Sequence, residues 1–192
     1  MTVESPKPNP QGKGLSLINV ISETSLTLVK VPPKNAIQVA NELFTSMFVL
    51  GSDFGFKPVI GKEYWLYFKS PRFRLSLISP SEWQDETFGK LVGNCQLQDD
   101  LTWTLQLSEQ TSRDKVLMHY IENKRHQFEE NLNQQDSLAD ALPVYEAKLP
   151  FYQRLYASML SKSLGYSMSR SGIAGLNYPA ALSLDAMPQE NP

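Results

Sequence analysis

Residues 63–79, EYWLYFKSPRFRLSLIS, decide the fold. Apolar side chains alternate on either side of Ser70-Pro71: Tyr64, Leu66 and Phe68 share one face of a first strand, and Phe73, Leu75 and Leu77 share one face of a second. A period of two marks strands that bury one side. The four-residue loop Lys69-Ser70-Pro71-Arg72 sets Phe68 opposite Phe73, Leu66 opposite Leu75 and Tyr64 opposite Leu77. Every apolar partner then falls on the same side of an antiparallel hairpin.

A second pair of strands is predicted over 90–97 and 101–107. A two-residue Asp99-Asp100 turn would set Leu97 against Thr102, whereas a three-residue Gln98-Asp99-Asp100 loop sets Leu97 on Leu101 and Cys95 on Trp103, with Asp100 as the left-handed residue. The longer loop is preferred. Between the pairs, Ser79-Pro80-Ser81-Glu82 has the spacing of a capping box with proline at the first helical position, which predicts a short helix carrying Trp83. Upstream, Asn35 can cap a helix to about residue 50, with Ile37, Ala40, Leu43, Phe44, Met47, Phe48 and Leu50 on one face and Gly51 as its stop. Downstream, Leu117, Tyr120/Ile121, Phe128 and Leu132 mark a helix starting near Ser112. After a break over 136–143, Phe151, Leu155, Tyr156, Met159, Leu160 and Leu164 mark a last strong helix, stopped by Gly165. Residues 15–31 fit neither period, so helix or strand stays open there. Residues 1–14 read as a flexible arm, 15–166 as one domain, and 167–192 as a tail that is coil or mobile. The expected class is α+β: an antiparallel four-stranded β-meander flanked by an N-terminal helix and two or three C-terminal helices.

The chain has 192 residues, 41% apolar and 20% charged, which suits one compact domain. Eighteen Lys plus Arg stand against twenty Asp plus Glu, a net charge of −2, so any electrostatic recognition must be local. The single cysteine, Cys95, cannot form an internal disulfide, which points to a reducing, cytoplasmic setting. Glu4 and three prolines interrupt the N-terminus where a signal peptide needs an apolar run, so export by that route is not expected. No stretch has the length and hydrophobicity of a membrane span.

The blocks YWLYFK, FRLSLISPSEW and FGKLVGNCQLQDDLTW resemble a small family catalogued only as a domain of unknown function, with bacterial and animal members. Tyr64, Leu66, Tyr67, Ile78, Ser79, Pro80, Glu82, Trp83, Phe88, Leu97, Gln98, Asp100, Leu101 and Trp103 stand where that family's pattern has them. The resemblance covers the central block from Tyr64 to Trp103 and supports the strands. Because the family has no assigned activity, it implies no catalytic residue and no cofactor.

The residues offer little catalytic machinery. His119 and His126 lie seven apart on one predicted helix, about 10 Å along its axis, too far to share a zinc ion easily, so no metal site is expected. Cys95 faces Trp103 and reads as a core residue rather than a thiolate nucleophile. There is no G-x-S-x-G turn and no phosphate-binding glycine loop. Asp99-Asp100 and Glu129-Glu130 read as a turn and a solvated helix face.

The outer face of the first hairpin is less ordinary. If the apolar set points inward, Trp65, Tyr67, Lys69, Arg72 and Arg74 point the other way. Between residues 57 and 74 five cations face one carboxylate, while 122–146 sums to −4, so the near-neutral total hides a basic hairpin and an acidic stretch. A helix covering that face, or simple solvation of it, is the leading structural reading. The first functional reading is a non-enzymatic protein-interaction module using Trp65, Tyr67, Lys69, Arg72 and Arg74. The second is single-stranded nucleic acid, whose bases stack on rings while phosphates meet cations. An enzyme of unknown reaction is the third.

Overall fold

The computed structural model describes residues 31–82 and 88–185. The 1–14 arm, the ambiguous 15–30 stretch, Trp83 of the short helix and residues 186–192 lie outside them. The described elements are, in order, helix α1 (Ala36–Leu50), strands β1 (Glu63–Lys69), β2 (Arg72–Ser76), β3 (Lys90–Leu97) and β4 (Trp103–Leu107), and helices α2 (Glu109–Arg113), α3 (Lys115–Asn133), α4 (Phe151–Ser171) and α5 (Tyr178–Asp185). The protein is α+β, with one four-stranded antiparallel sheet between an N-terminal helix and C-terminal helices.

The first hairpin has the register its alternation requires. Phe68 pairs with Phe73 and Leu66 with Leu75, and strand pairing reaches Lys69 opposite Arg72 across a cis Ser70–Pro71 peptide. Leu77 departs from expectation. Ser76 Oγ accepts from the amide of Ile78 at 3.0 Å, a local bond that ends β2 at Ser76 and leaves Leu77 44% exposed rather than against Tyr64.

Strand order is β2-β1-β3-β4, so β3 pairs with β1 and the chain passes from one hairpin to the other without the neighbour-to-neighbour order of a simple meander. The outer edge of β2 is occupied elsewhere: Asp53 donates its amide to Phe73 O at 2.8 Å and accepts from Leu75 N at 3.1 Å. In the second hairpin the register differs by two from that predicted. Leu97 pairs with Trp103 and Cys95 with Leu105. The loop is Asp99-Asp100-Leu101, and Leu101 at φ 68° is left-handed instead of Asp100. A shift of two keeps every side chain on its face, so alternation cannot separate the two registers. Tertiary contacts do: Leu101 is buried, and the Asp100 carboxylate binds Thr102 N at 3.1 Å, Thr102 Oγ1 at 2.6 Å and the Lys34 ammonium.

The main core lies between the sheet and α1, α3 and α4. Leu43, Leu50, Tyr64, Leu66, Leu97, Trp103, Leu160 and Leu164 are buried together. Asn35 caps α1 through a reciprocal box with Gln38. Ile37 lies off the buried face at 52% exposure, because Ala36, Val39, Ala40 and Leu43 are the residues turned inward. Ser46, on that face, accepts from the Trp103 amide at 2.8 Å and ties α1 to β4. A second cluster joins Ala36 and Val39 to Leu132, Leu138, Met168, Ile173 and Ala181.

α4 runs through Gly165 and ends at Gly172, whose φ of 72° is the left-handed closure that glycine supplies. At Gly165 the nearest neighbour of an added Cβ is Leu142 Cδ1 at 3.4 Å, and nothing there demands a break. Residues 167–185, read from sequence as the beginning of a coil or mobile tail, therefore hold the last turn of α4 and all of α5. Ile173 and Ala181, which are 1% and 0% exposed, supply the apolar contacts that hold this stretch in place.

Cys95 is buried in β3, and burial pushes its thiol up to about 12. Ellman's reagent at mildly alkaline pH is expected to leave the native protein unmodified and to titrate the one thiol of the chain after denaturation. Rapid labelling of folded protein would contradict this packing.

Candidate interaction surface

The five residues singled out on the first hairpin do not share one environment. Lys69, Arg72 and Arg74 are exposed, Trp65 is half-buried, and Tyr67 is 3% exposed. The cause is the chain leaving β2 and entering β3. Tyr67 Oη donates to the Ile78 carbonyl at 3.2 Å, and its ring meets Phe88 edge-on at 6.2 Å. The Arg74 guanidinium lies 5.8 Å from the centre of the same Phe88 ring. The two ends of the inter-hairpin connection, Ile78 and the helical residue Phe88, thus cover Tyr67.

What remains open is a basic rim. Register places Lys69 directly opposite Arg72, and Arg74 opposite Tyr67. The Arg72 side chain is 79% exposed and sits 3.6 Å from the Asp53 carboxylate. On the acidic stretch, Glu129 binds Arg125 at 3.0 Å and Glu130 lies 3.5 Å from His126, both on their own helix. These two carboxylates are engaged within α3, and Arg72 finds its partner in Asp53.

α3 packs against the opposite, core-facing side of the hairpin, where Tyr120 lies 5.8 Å from Phe73 and 6.3 Å from Phe68. Residues 52–60 brace the first strand from below. Tyr64 Oη accepts from Val59 N at 2.7 Å, Tyr156 Oη donates to Pro58 O at 2.6 Å, and Gln153 Nε2 donates to Phe54 O at 3.0 Å. Sequence reasoning gave no role to Asp53 or Gln153 and placed Phe88 only within the family pattern. For Gln153 a signal existed: it precedes Tyr156 and Ala157 by three and four residues, so it lies on the inner face of α4, where an uncharged amide implies a backbone partner.

Among the described residues, no group of three His, Cys, Asp or Glu side chains could hold a metal ion, and no helix is long and apolar enough to cross a membrane. The model of a family described as "Protein of unknown function (DUF2452)" matches residues 30–123. The match takes in α1, all four strands, α2 and the first half of α3, and stops before α4. No curated protein and no solved structure matches the chain.

Proposed function

We propose that the protein is a non-enzymatic interaction module whose contact face is the basic rim of the first hairpin, and that it takes an acidic segment of a protein partner. The observation that carries this reading is the cross-strand pair Lys69 and Arg72, with exposed Arg74 two positions along. Like charges directly opposite each other on a sheet repel, and the exposed Asp53 carboxylate 3.6 Å from Arg72 offsets this only in part, so a partner's carboxylates laid along the rim are favoured. Trp65, half-buried beside the rim, adds apolar area that an interface can cover, and Tyr67 serves as the buried support beneath.

A single-stranded nucleic acid would use the same cations, but it also needs rings on which to stack. Burial of Tyr67 takes one of the two candidate rings away, which favours the acidic protein segment.

The test compares affinity capture by wild type with capture by a variant carrying Trp65→Ala and Arg74→Glu. Wild type is expected to hold partners that are released by salt and absent from the variant, with the two proteins melting at similar temperatures. An identical partner set on both would sink the assigned face. A random single-stranded oligonucleotide is expected to give no mobility shift even at low salt, where phosphate contacts are strongest. A shift abolished by Arg72→Glu would move the assignment to nucleic acid.

A further inference from the structure

Between the edge of β2 and the start of α4 lies an open cleft of about 430 Å³. This falls within the range of small-molecule sites. Phe54, Phe56 and Leu75 give it apolar walls, Asp53 and Arg74 give it a charged rim, and Gln153 lines it while being only 1% exposed. The Gln153 carboxamide is held by its Nε2, which donates to the carbonyls of Ser52 at 3.4 Å and Phe54 at 3.0 Å. Its Oε1 accepts from no donor among the described residues. A buried amide oxygen left in this way destabilises the fold, and a ligand donor would relieve it.

The rim charges are not equivalent. Asp53 is matched by Arg72 at 3.6 Å, whereas Arg74, among the described residues, lies over a ring and makes no ion pair. A ligand anion is therefore directed to Arg74, since Arg72 already faces the Asp53 carboxylate.

We propose that this cleft binds a small aromatic carboxylate bearing a hydroxyl or N–H donor at its far end: the carboxylate on Arg74, the ring against the wall that Phe54 and Phe56 form together, and the donor on Gln153 Oε1. The inference stands apart from the contact-face reading and shares only Arg74 with it.

The probe is 4-hydroxyphenylacetate, titrated into the full-length protein and followed by ¹H–¹⁵N NMR. Saturable shifts are expected at Gly55, Leu75 and the Gln153 side-chain amide. Phenylacetate, which lacks the donor, is expected to bind about tenfold more weakly, as for one lost hydrogen bond to a buried group. Tyramine, which keeps the phenol but reverses the charge, is expected to leave these signals unmoved. Arg74→Gln should weaken the hydroxylated probe by about tenfold. Lys69→Glu, on the contact face but outside the cleft, should leave its affinity within about twofold, which separates failure here from failure of the contact-face reading. Absence of saturable shifts up to about 10 mM probe, equal shifts with tyramine, or unchanged affinity in Arg74→Gln would each overturn the proposal.

Discussion

Gly93→Ala is expected to unfold the sheet or to lower its melting temperature by roughly 10 °C, the shift that about 4 kcal/mol produces in a chain of this size. Gly93 sits in β3 between Leu66 of β1 and Leu107 of β4. A Cβ there would stand 2.1 Å from the Gln106 carbonyl oxygen, 2.8 Å from its carbon and 2.9 Å from Leu107 Cα. All three atoms belong to the backbone of the paired strand, so relief requires β4 to move away, not a side chain to rotate. A slip in β1 pairing between Leu66 and Tyr67 occurs at this level of the sheet, where the backbones already approach closely. Gly165→Ala provides the contrast. Its new methyl group would meet only a flexible leucine tip at 3.4 Å, and helix propensity favours alanine by about 1 kcal/mol. That variant is expected to be as stable as wild type or slightly more so. Thermal melts followed by circular dichroism check both, and equal melting temperatures for the two variants would refute the close-packing argument.

Lys34→Met should cost about 3 kcal/mol in urea unfolding at neutral pH, near the lower end of what breaking a buried ion pair costs. The Lys34 side chain is 8% exposed and binds two carboxylates, Glu42 at 31% and Asp100 at 20% exposure. Their partial contact with water screens the charges left behind and keeps the cost from the upper end. The triple variant Lys34→Met, Glu42→Gln, Asp100→Asn removes those charges together and is expected to recover all but about 1 kcal/mol. No recovery would show that packing of the lysine stem, not charge, is what matters.

The same cluster sets a pH dependence. Burial pushes the Glu42 carboxyl above 4.5, with Lys34 pulling it back only in part. Burial also acts upward on Asp100, but hydrogen bonds from Lys34 and Thr102 carry it below 3.8. The Asp100 contribution is therefore present above the unfolded value and lost as pH falls through the lowered one, while that of Glu42 is present below 4.5 and lost as pH rises through its raised value. Removing Lys34 raises both folded values. The stability gap between wild type and Lys34→Met should accordingly narrow as pH falls through the carboxylate range, and a gap that widens would reverse the assignment.

These elements also mark how far the sequence reaches. Phe68 and Phe73 are in register because alternation leaves one way to bury both, and Asn35 caps α1 because its side chain and that of Gln38 need only local partners. The second hairpin lies two residues from its expected register, since parity is blind to such a shift and the deciding contacts come from Lys34, far away in the chain. Gly165 and Gly172 look alike in sequence, but only Gly172 has the positive φ that ends a helix. The exposed basic rim was legible as a pattern of Lys69, Arg72 and Arg74 on the face opposite the apolar set. That Phe88 and Ile78 would close over Tyr67 was not, because it depends on how the connection between hairpins crosses the sheet. Asp53 was hidden, since it pairs with backbone groups of β2 brought near only by the fold, whereas Gln153 could be placed on the inner face of α4 but not matched to the Ser52 and Phe54 carbonyls it binds.

The contact-face reading is tested most directly by placing the photo-crosslinking residue p-benzoylphenylalanine at position 72 and, separately, at position 113. The native arginines there are almost equally exposed, at 79% and 81% of their side chains, so accessibility alone cannot distinguish them. Irradiation in whole-cell extract should give discrete protein adducts from position 72, suppressed by Arg74→Glu, and none of the same bands from position 113. Matching bands from both positions, or none from position 72, would contradict an interface on the first hairpin.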